Sequence, residues 1–467
     1  MLTIFDGNES INRRAMLRIG SLGLAGLSLP MLLAGRAAAG EKAGHISGKS
    51  VIFLFQQGGP SQLETFDPKP DAPSNIATVT GTIQTKLPGV IFGDALPRLA
   101  ALADKLTVVR SVQTNNAGHN IQPIVGPDSQ ETNIGVHYAR VAGATRAASG
   151  MPTNAVIYPS AVSQDVPGPQ ARGDLRATGS YGSAYAPFVP GAGGDLQNDM
   201  QLNLPRERLF NDRRSLLAQI DRLNRKMDAS GQLETMDKLQ QQAYGLLLGG
   251  GVAKALDLSQ EDPKTVARYD TSHFSKKGQW DRAKRGQAGY YDAQAATIGK
   301  LLLLARRMCE AGCGFVTIHA SYAGVWDMHA DGNNLSMVDG MNAVGRSFDH
   351  AVAAFVEDLE ARGLTDKIML VATGEMGRTP RINQRGGRDH WGKLAPLLIH
   401  GGGVRGGQVI GRSTRDGGEP ATENHTPKHL ISTIMHSLFD VGQLRLARGI
   451  PPQVIRLTQA KPIVEVS

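Results

Sequence analysis

Ser50-Val51-Ile52-Phe53-Leu54-Phe55, followed at once by Gln56-Gln57-Gly58-Gly59-Pro60, is the stretch on which the fold turns. A nearly continuous apolar run that stops at a turn reads as a strand covered on both faces, the pattern of a central parallel strand. Working outward, similar runs appear at 106–110, 155–158, 314–319, 368–372 and 396–399. Segments with helical spacing lie between them, at 97–104, 290–311 and 342–362, and a helix at 427–439 is read as closing the domain. Strands alternating with helices in this way predict an α/β fold, a doubly wound, largely parallel sheet with helices on both faces. From Pro159 to about Pro205 the chain is rich in Gly, Pro and Ser without periodicity, and residues 206–248 follow helical spacing. Residues 159–290 are therefore expected to form an inserted loop and helical cap.

The remaining composition excludes more than it proposes. A formal charge of +8 over 467 residues comes from dispersed Lys and Arg, which argues against nucleic acid as a partner. Cys309 and Cys313 stand four apart on one expected helix, poor geometry for a disulfide, and no haem attachment motif occurs. At the N-terminus Arg13-Arg14 precedes an apolar run, Ile19 to Ala34, and then Ala37-Ala38-Ala39. That order reads as a twin-arginine export signal covering residues 1–39, with the mature domain at 40–467; a Sec signal or signal anchor is the alternative. Export would involve the twin-arginine machinery and place the protein in the periplasm or outside the cell. The apolar run is short for a membrane span and broken by Pro30, so no stable span is expected after signal removal.

Three segments concentrate acids, imidazoles and cations near expected strand ends: Trp326-Asp327-Met328-His329, Gly374-Glu375-Met376-Gly377-Arg378 and Arg388-Asp389-His390-Trp391. Asp327 and His329 sit two apart and on an extended loop would reach one cation, although a capping Asp and a backbone-bonded His account for the same pattern. Glu375 and Arg378 read equally as an internal ion pair or as a ligand beside an anion-holding arginine. Asp389 is either a metal ligand beside His390 or the acceptor that orients it. Weaker signals lie at Gly58-Gly59-Pro60-Ser61 with Glu64 and Asp67, at His119 between Asn116 and Asn120, and at His425.

Taken together with Thr65-Phe66-Asp67-Pro68-Lys69-Pro70, Leu96-Pro97-Arg98-Leu99, Val109-Arg110-Ser111, Thr379-Pro380 and the glycine-rich stretch from Gly401 to Gly411, these segments give the chain a specific likeness. It resembles, over nearly all its mature length, the domain-of-unknown-function family 1501, twin-arginine-exported bacterial proteins placed in the alkaline-phosphatase-like, sulfatase-like superfamily. The resemblance implies a metal centre at the strand ends, with Asp327, His329, Glu375 and His390 as its ligands and a divalent ion (zinc, calcium, magnesium or manganese) as cofactor; Asp389 joins the expected metal set by its place beside His390. It also places the nucleophile slot at 116–120, which leaves His119 as the catalytic residue and Asn116, Arg378 and Arg388 as substrate contacts. Here the pattern departs from the superfamily, whose phosphatases carry Ser or Thr in that slot and whose sulfatases carry Cys. The expected function is a secreted metal-dependent hydrolase of a phosphate or sulfate ester. The alternative is a non-catalytic envelope protein whose cleft binds a glycan or protein partner.

Overall fold

The structure, a computed structural model, describes residues 44–146, 149–191, 251–275 and 287–466, and these described residues belong to one compact unit. The expected export signal, the helices at 206–248 and much of the expected cap lie outside the described residues. Eleven strands occur among those described: β1 (Ser50–Phe55), β2 (Thr82–Gln84), β3 (Ile91–Gly93), β4 (Thr107–Val112), β5 (Asn154–Ile157), β6 (Phe315–His319), β7 (Ile368–Thr373), β8 (Gly377–Arg378), β9 (His390–Trp391), β10 (Ala395–Gly401) and β11 (Gln408–Ile410). Seven of them build the main sheet in the order β11-β4-β10-β7-β1-β6-β5. β1 pairs in parallel with β6 and β7, β5 with β6 and β11 with β4; only β10 runs against its neighbours.

Burial explains why β1 has no polar face. Val51, Phe53 and Phe55 join a cluster with Ile134 and Tyr138 of the helix Ile134–Ala142 and Leu430, Ile431 and Ile434 of the helix Pro427–Leu438. Ile52 and Leu54 point the other way, into a cluster with Leu301 to Leu304 of the helix Ala288–Glu310 and Phe348 and Phe355 of the helix Arg346–Ala361. The fold is thus the expected doubly wound α/β sheet with helices on both faces. Each fully buried side chain of this kind stabilises by roughly 1.5–3 kcal/mol, so the alternation of β1 holds two cores at once.

The sequence reading missed several elements. Strands β2 and β3 form a small hairpin, as do β8 and β9. The helix at 427–438 does not close the domain, because short helices at Val441–Leu446 and Pro452–Arg456 follow it. No helix among the described residues is long and apolar enough to cross a membrane.

Two interior histidines make the fold acid-sensitive. His137 sits on the helix Ile134–Ala142 with Nε2 2.9 Å from the Ser129 carbonyl, and burial pushes its pKa down to about 4. His319 ends β6 with Nε2 2.8 Å from Gln57 Oε1, and burial pushes it down to about 3. Both rings are neutral when folded and protonate near pH 6.5 when unfolded. The unfolded chain therefore binds more protons below pH 6.5, and stability falls as pH drops towards 4 for His137 and 3 for His319. Each ring is expected to cost about 2 kcal/mol by pH 5, at about 1.4 kcal/mol per pH unit. Urea midpoints at pH 7.5 and 5 measure this, and His137→Gln is expected to lose less stability across that interval; an unchanged pH slope in the variant would refute it.

Candidate metal centre

Because β1, β4, β6 and β7 share a direction, the loops that leave them emerge at one edge of the sheet. They carry Gly58, His119, Asp327 and Glu375 respectively. β10 runs the opposite way, so the hairpin strand that precedes it delivers His390 to the same edge, where open α/β sheets bind ligands. Close backbone approach makes room for this. Gly58 has φ +108°, and a Cβ there would stand 2.7 Å from the Asp327 amide nitrogen.

Asp327 is the hub of the site. Its Oδ2 lies 2.9 Å from His119 Nε2 and 3.1 Å from His329 Nε2, while Oδ1 lies 3.0 Å from His390 Nε2 and 2.6 Å from Arg378 Nη2. Each of two imidazoles is braced from behind: His119 Nδ1 is 3.0 Å from Glu375 Oε1, and His390 Nδ1 is 3.0 Å from the Ala117 carbonyl. Glu375 is buried and accepts the Gly58 amide at 2.9 Å. Burial opposes the charge on Asp327, but Arg378 and the imidazole bonds hold it far below the usual carboxylate range. Burial instead pushes Glu375 up, with the bonds from His119 and Gly58 offsetting part of that. His119, desolvated but flanked by both carboxylates, is raised to about 9.

The chemistry of this set suits a metal. A carbonyl oxygen only accepts, so His390 must donate from Nδ1 to Ala117, and a neutral ring then turns the Nε2 lone pair towards Asp327 Oδ1. Once His119 gives up its second proton, Glu375 holds its ring the same way, the arrangement in which an outer acceptor fixes a metal-binding imidazole. Lone pairs on two nitrogens and a carboxylate facing one another require a proton or a cation among them. One ligand atom each from His119, Asp327 and His390 lies within 4.8 Å of the others, and this nitrogen and oxygen set fits a divalent ion.

The expected site residues distribute unevenly. His119 belongs with Asp327 and His390, and both its ring nitrogens are engaged, which does not suit a free nucleophile. Glu375 stands behind His119, and His329 reaches Asp327 from outside the mutual trio. Asp389, expected as a ligand, is instead exposed, its Oδ1 3.1 Å from Asn383 Nδ2. Asn116 is turned into its own loop, with Nδ2 2.7 Å from Asn120 Oδ1 and Oδ1 accepting the Gly118 amide at 3.0 Å, so it shapes the His119 loop rather than facing substrate.

The two arginines expected to hold an anion are fully buried. Arg378 donates to the carbonyls of Gly58, Gly59, Trp326 and Arg388 besides Asp327, and Arg388 is bound to Glu64. The weaker candidates are spent as well. The Gly58 amide serves Glu375, Asp67 pairs with Lys69 at 2.9 Å, and His425 Nδ1 lies 3.0 Å from Ser111 Oγ.

A cleft of about 690 Å³ opens on the trio, and its wall includes Arg172, Tyr322, Asn334 and Gln287. None of these was marked by the sequence reading. Arg172 lies within the glycine- and proline-rich excursion, where no periodicity signals a site, whereas the position of Tyr322 just beyond β6 was available as a clue.

The fold and site thus define an α/β protein with a candidate metal centre at the edge of a mainly parallel sheet. The chain belongs to the family described as "Protein of unknown function (DUF1501)", whose model matches residues 48–462. No curated protein matches it. Similar solved chains include Ps i-CgsB, at 10% identity over 89% of this chain and 77% of that one with a TM-score of 0.36. Another is a Bacteroides thetaiotaomicron protein described with the metabolism of multiple glycosaminoglycans, at 9% over 89% and 75% with a TM-score of 0.36. A third is the PsFucS1 sulfatase from Pseudoalteromonas sp., at 13% over 82% and 69% with a TM-score of 0.30. Likenesses this distant decide neither fold nor activity.

Proposed function

We propose that this protein is an exported, metal-dependent hydrolase of a phosphate or sulfate ester, of the alkaline-phosphatase-like, sulfatase-like kind. The observation that carries the reading is the convergence of His119, Asp327 and His390 at the floor of a polar cleft. A divalent cation there would polarise the ester oxygen and activate water, and two imidazoles among the ligands favour zinc over calcium, magnesium or manganese. The chain's own residues hold and orient. Glu375 and the Ala117 carbonyl fix the rings of His119 and His390, and Arg378 balances the charge of Asp327. His329, in the cleft wall beside the trio, is the group placed to move a proton. Gln287 has a buried side-chain oxygen with no partner among the described residues, an acceptor suited to a hydroxyl of the esterified alcohol.

No Ser, Thr or Cys lines this cleft among the described residues. On the hydrolase reading water makes the attack, and the same lining supports the second reading, an envelope protein that binds a glycan or partner without turning it over. Metal analysis of the purified mature protein, with nitrophenyl phosphate, bis-nitrophenyl phosphate and nitrophenyl sulfate as substrates, separates the two. The hydrolase is expected to carry stoichiometric metal, to lose turnover on chelation and to regain it on metal addition. Metal without turnover of any ester selects the binding protein, and absence of both refutes the hydrolase.

A further inference from the structure

With Arg378 and Arg388 sealed in the interior, the cation that meets an incoming anion must come from elsewhere. Among the described residues lining the cleft, Arg172 supplies the one guanidinium. Its backbone is fixed and its side chain is not. Gln57, buried at the turn after β1, donates from Nε2 to the Arg172 carbonyl at 3.1 Å and accepts the Arg172 amide at 3.4 Å. Gln57 is itself set by His319, whose Nε2 lies 2.8 Å from its Oε1. Two residues earlier, Gln170 bridges Tyr322 in parallel and accepts the Ala323 amide at 3.2 Å. The segment 170–172 is therefore stitched to the loop that leads from β6 into Asp327.

The guanidinium, by contrast, is exposed and has no carboxylate partner among the described residues. An exposed arginine is ordinarily just solvated, and three features set this one apart. It shares the cleft wall with all three members of the trio, its backbone is held by a buried amide, and the nearby acids are already engaged. Asp327 is balanced by Arg378, and Asp331 accepts the amides of Asn333 and Asn334 at 2.8 Å each. A cation whose main chain is fixed loses less freedom when its fork closes on a tetrahedral oxyanion.

We infer that Arg172 grips the anionic group of the substrate, a role that rests on the ester-hydrolase reading and adds its specificity residue. Both sulfate and phosphate present oxygens that a guanidinium fork binds in bidentate fashion. The test is calorimetric titration of inorganic sulfate and of inorganic phosphate into the metal-loaded wild type, Arg172→Ala and Arg172→Lys. Metal content, urea midpoint and turnover of the nitrophenyl esters are measured alongside. Arg172→Ala is expected to weaken anion binding about 10- to 100-fold and to raise KM more than it lowers kcat, with metal content and midpoint unchanged. Arg172→Lys is expected to recover only part, because an ammonium is a point charge without the fork.

Anion affinity unchanged in Arg172→Ala overturns the assignment and leaves the hydrolase reading standing. Anion binding that depends on Arg172 in a protein that hydrolyses none of the esters upholds the grip and removes the hydrolase. A wild type that binds neither anion at millimolar concentration overturns the grip, and turnover of the esters then decides the hydrolase reading separately. The preferred ion identifies which ester the cleft takes.

Discussion

Asp327→Asn is expected to lose metal affinity by at least about 100-fold, as removal of a ligand should exceed the 10- to 100-fold typical of a supporting partner. It is also expected to unfold more easily, by about 3–5 kcal/mol, because Arg378 is fully buried and Asp327 is its counter-charge at 2.6 Å. Both losses have one geometric origin. The same carboxylate meets three imidazoles and a guanidinium, so the substitution weakens the acceptor of the first set and discharges the partner of the second. The two effects separate in the double variant Asp327→Asn with Arg378→Met, which removes both buried charges. Its loss of stability should be smaller than the sum of the two single losses while its metal affinity stays low. Metal content by mass spectrometry and urea midpoints measure the pair. Stoichiometric metal retained in Asp327→Asn would show that the ion is held by other residues.

What could be read from the sequence, and what could not, follows from how far apart the partners lie. β1 was legible because its six residues are buried on both faces, and burial on both faces leaves a continuous apolar run. Asp327, Glu375 and His390 were legible because each follows or precedes such a run by a few residues. The hairpin of β8 and β9 was not, since two residues per strand carry no periodicity, yet it sets Arg378 opposite His390 and so brings the second and third segments together. Arginine gave the most misleading signal. The side chain of Arg388 reads the same whether it waits for a substrate or neutralises a buried acid. Its acid, Glu64, lies 324 positions away, and only the fold shows the pairing. Arg172 was hidden for the converse reason: it owes its place to contacts with Gln57 and to the bridge between Gln170 and Tyr322, none of them local.

Arg388→Ala is expected to destabilise the protein by about 3–5 kcal/mol from the broken buried pair alone. Its Nε and Nη2 lie 3.0 and 2.9 Å from Glu64 Oε1, and its remaining donors serve the carbonyls of Ile76, Ala77, Thr379 and Pro380. Truncation would leave Glu64 charged in the interior with only the Val79 amide and the Thr80 amide and hydroxyl as donors. The four carbonyls would lose their partner too, at about 1–3 kcal/mol for each that stays dry. That sum approaches the whole stability of a typical domain, about 5–15 kcal/mol, so little soluble folded protein is expected at 37 °C. Glu64→Leu combined with Arg388→Met removes the charge from both sides and should be less destabilised than Arg388→Ala, since an uncompensated buried charge is the largest penalty. Because His390 stands two residues beyond Arg388 on the same hairpin, the fraction of protein that retains metal should fall in step with the fraction folded. An Arg388→Ala protein that melts with the wild type and loses only affinity for sulfate or phosphate would instead make this arginine a substrate contact.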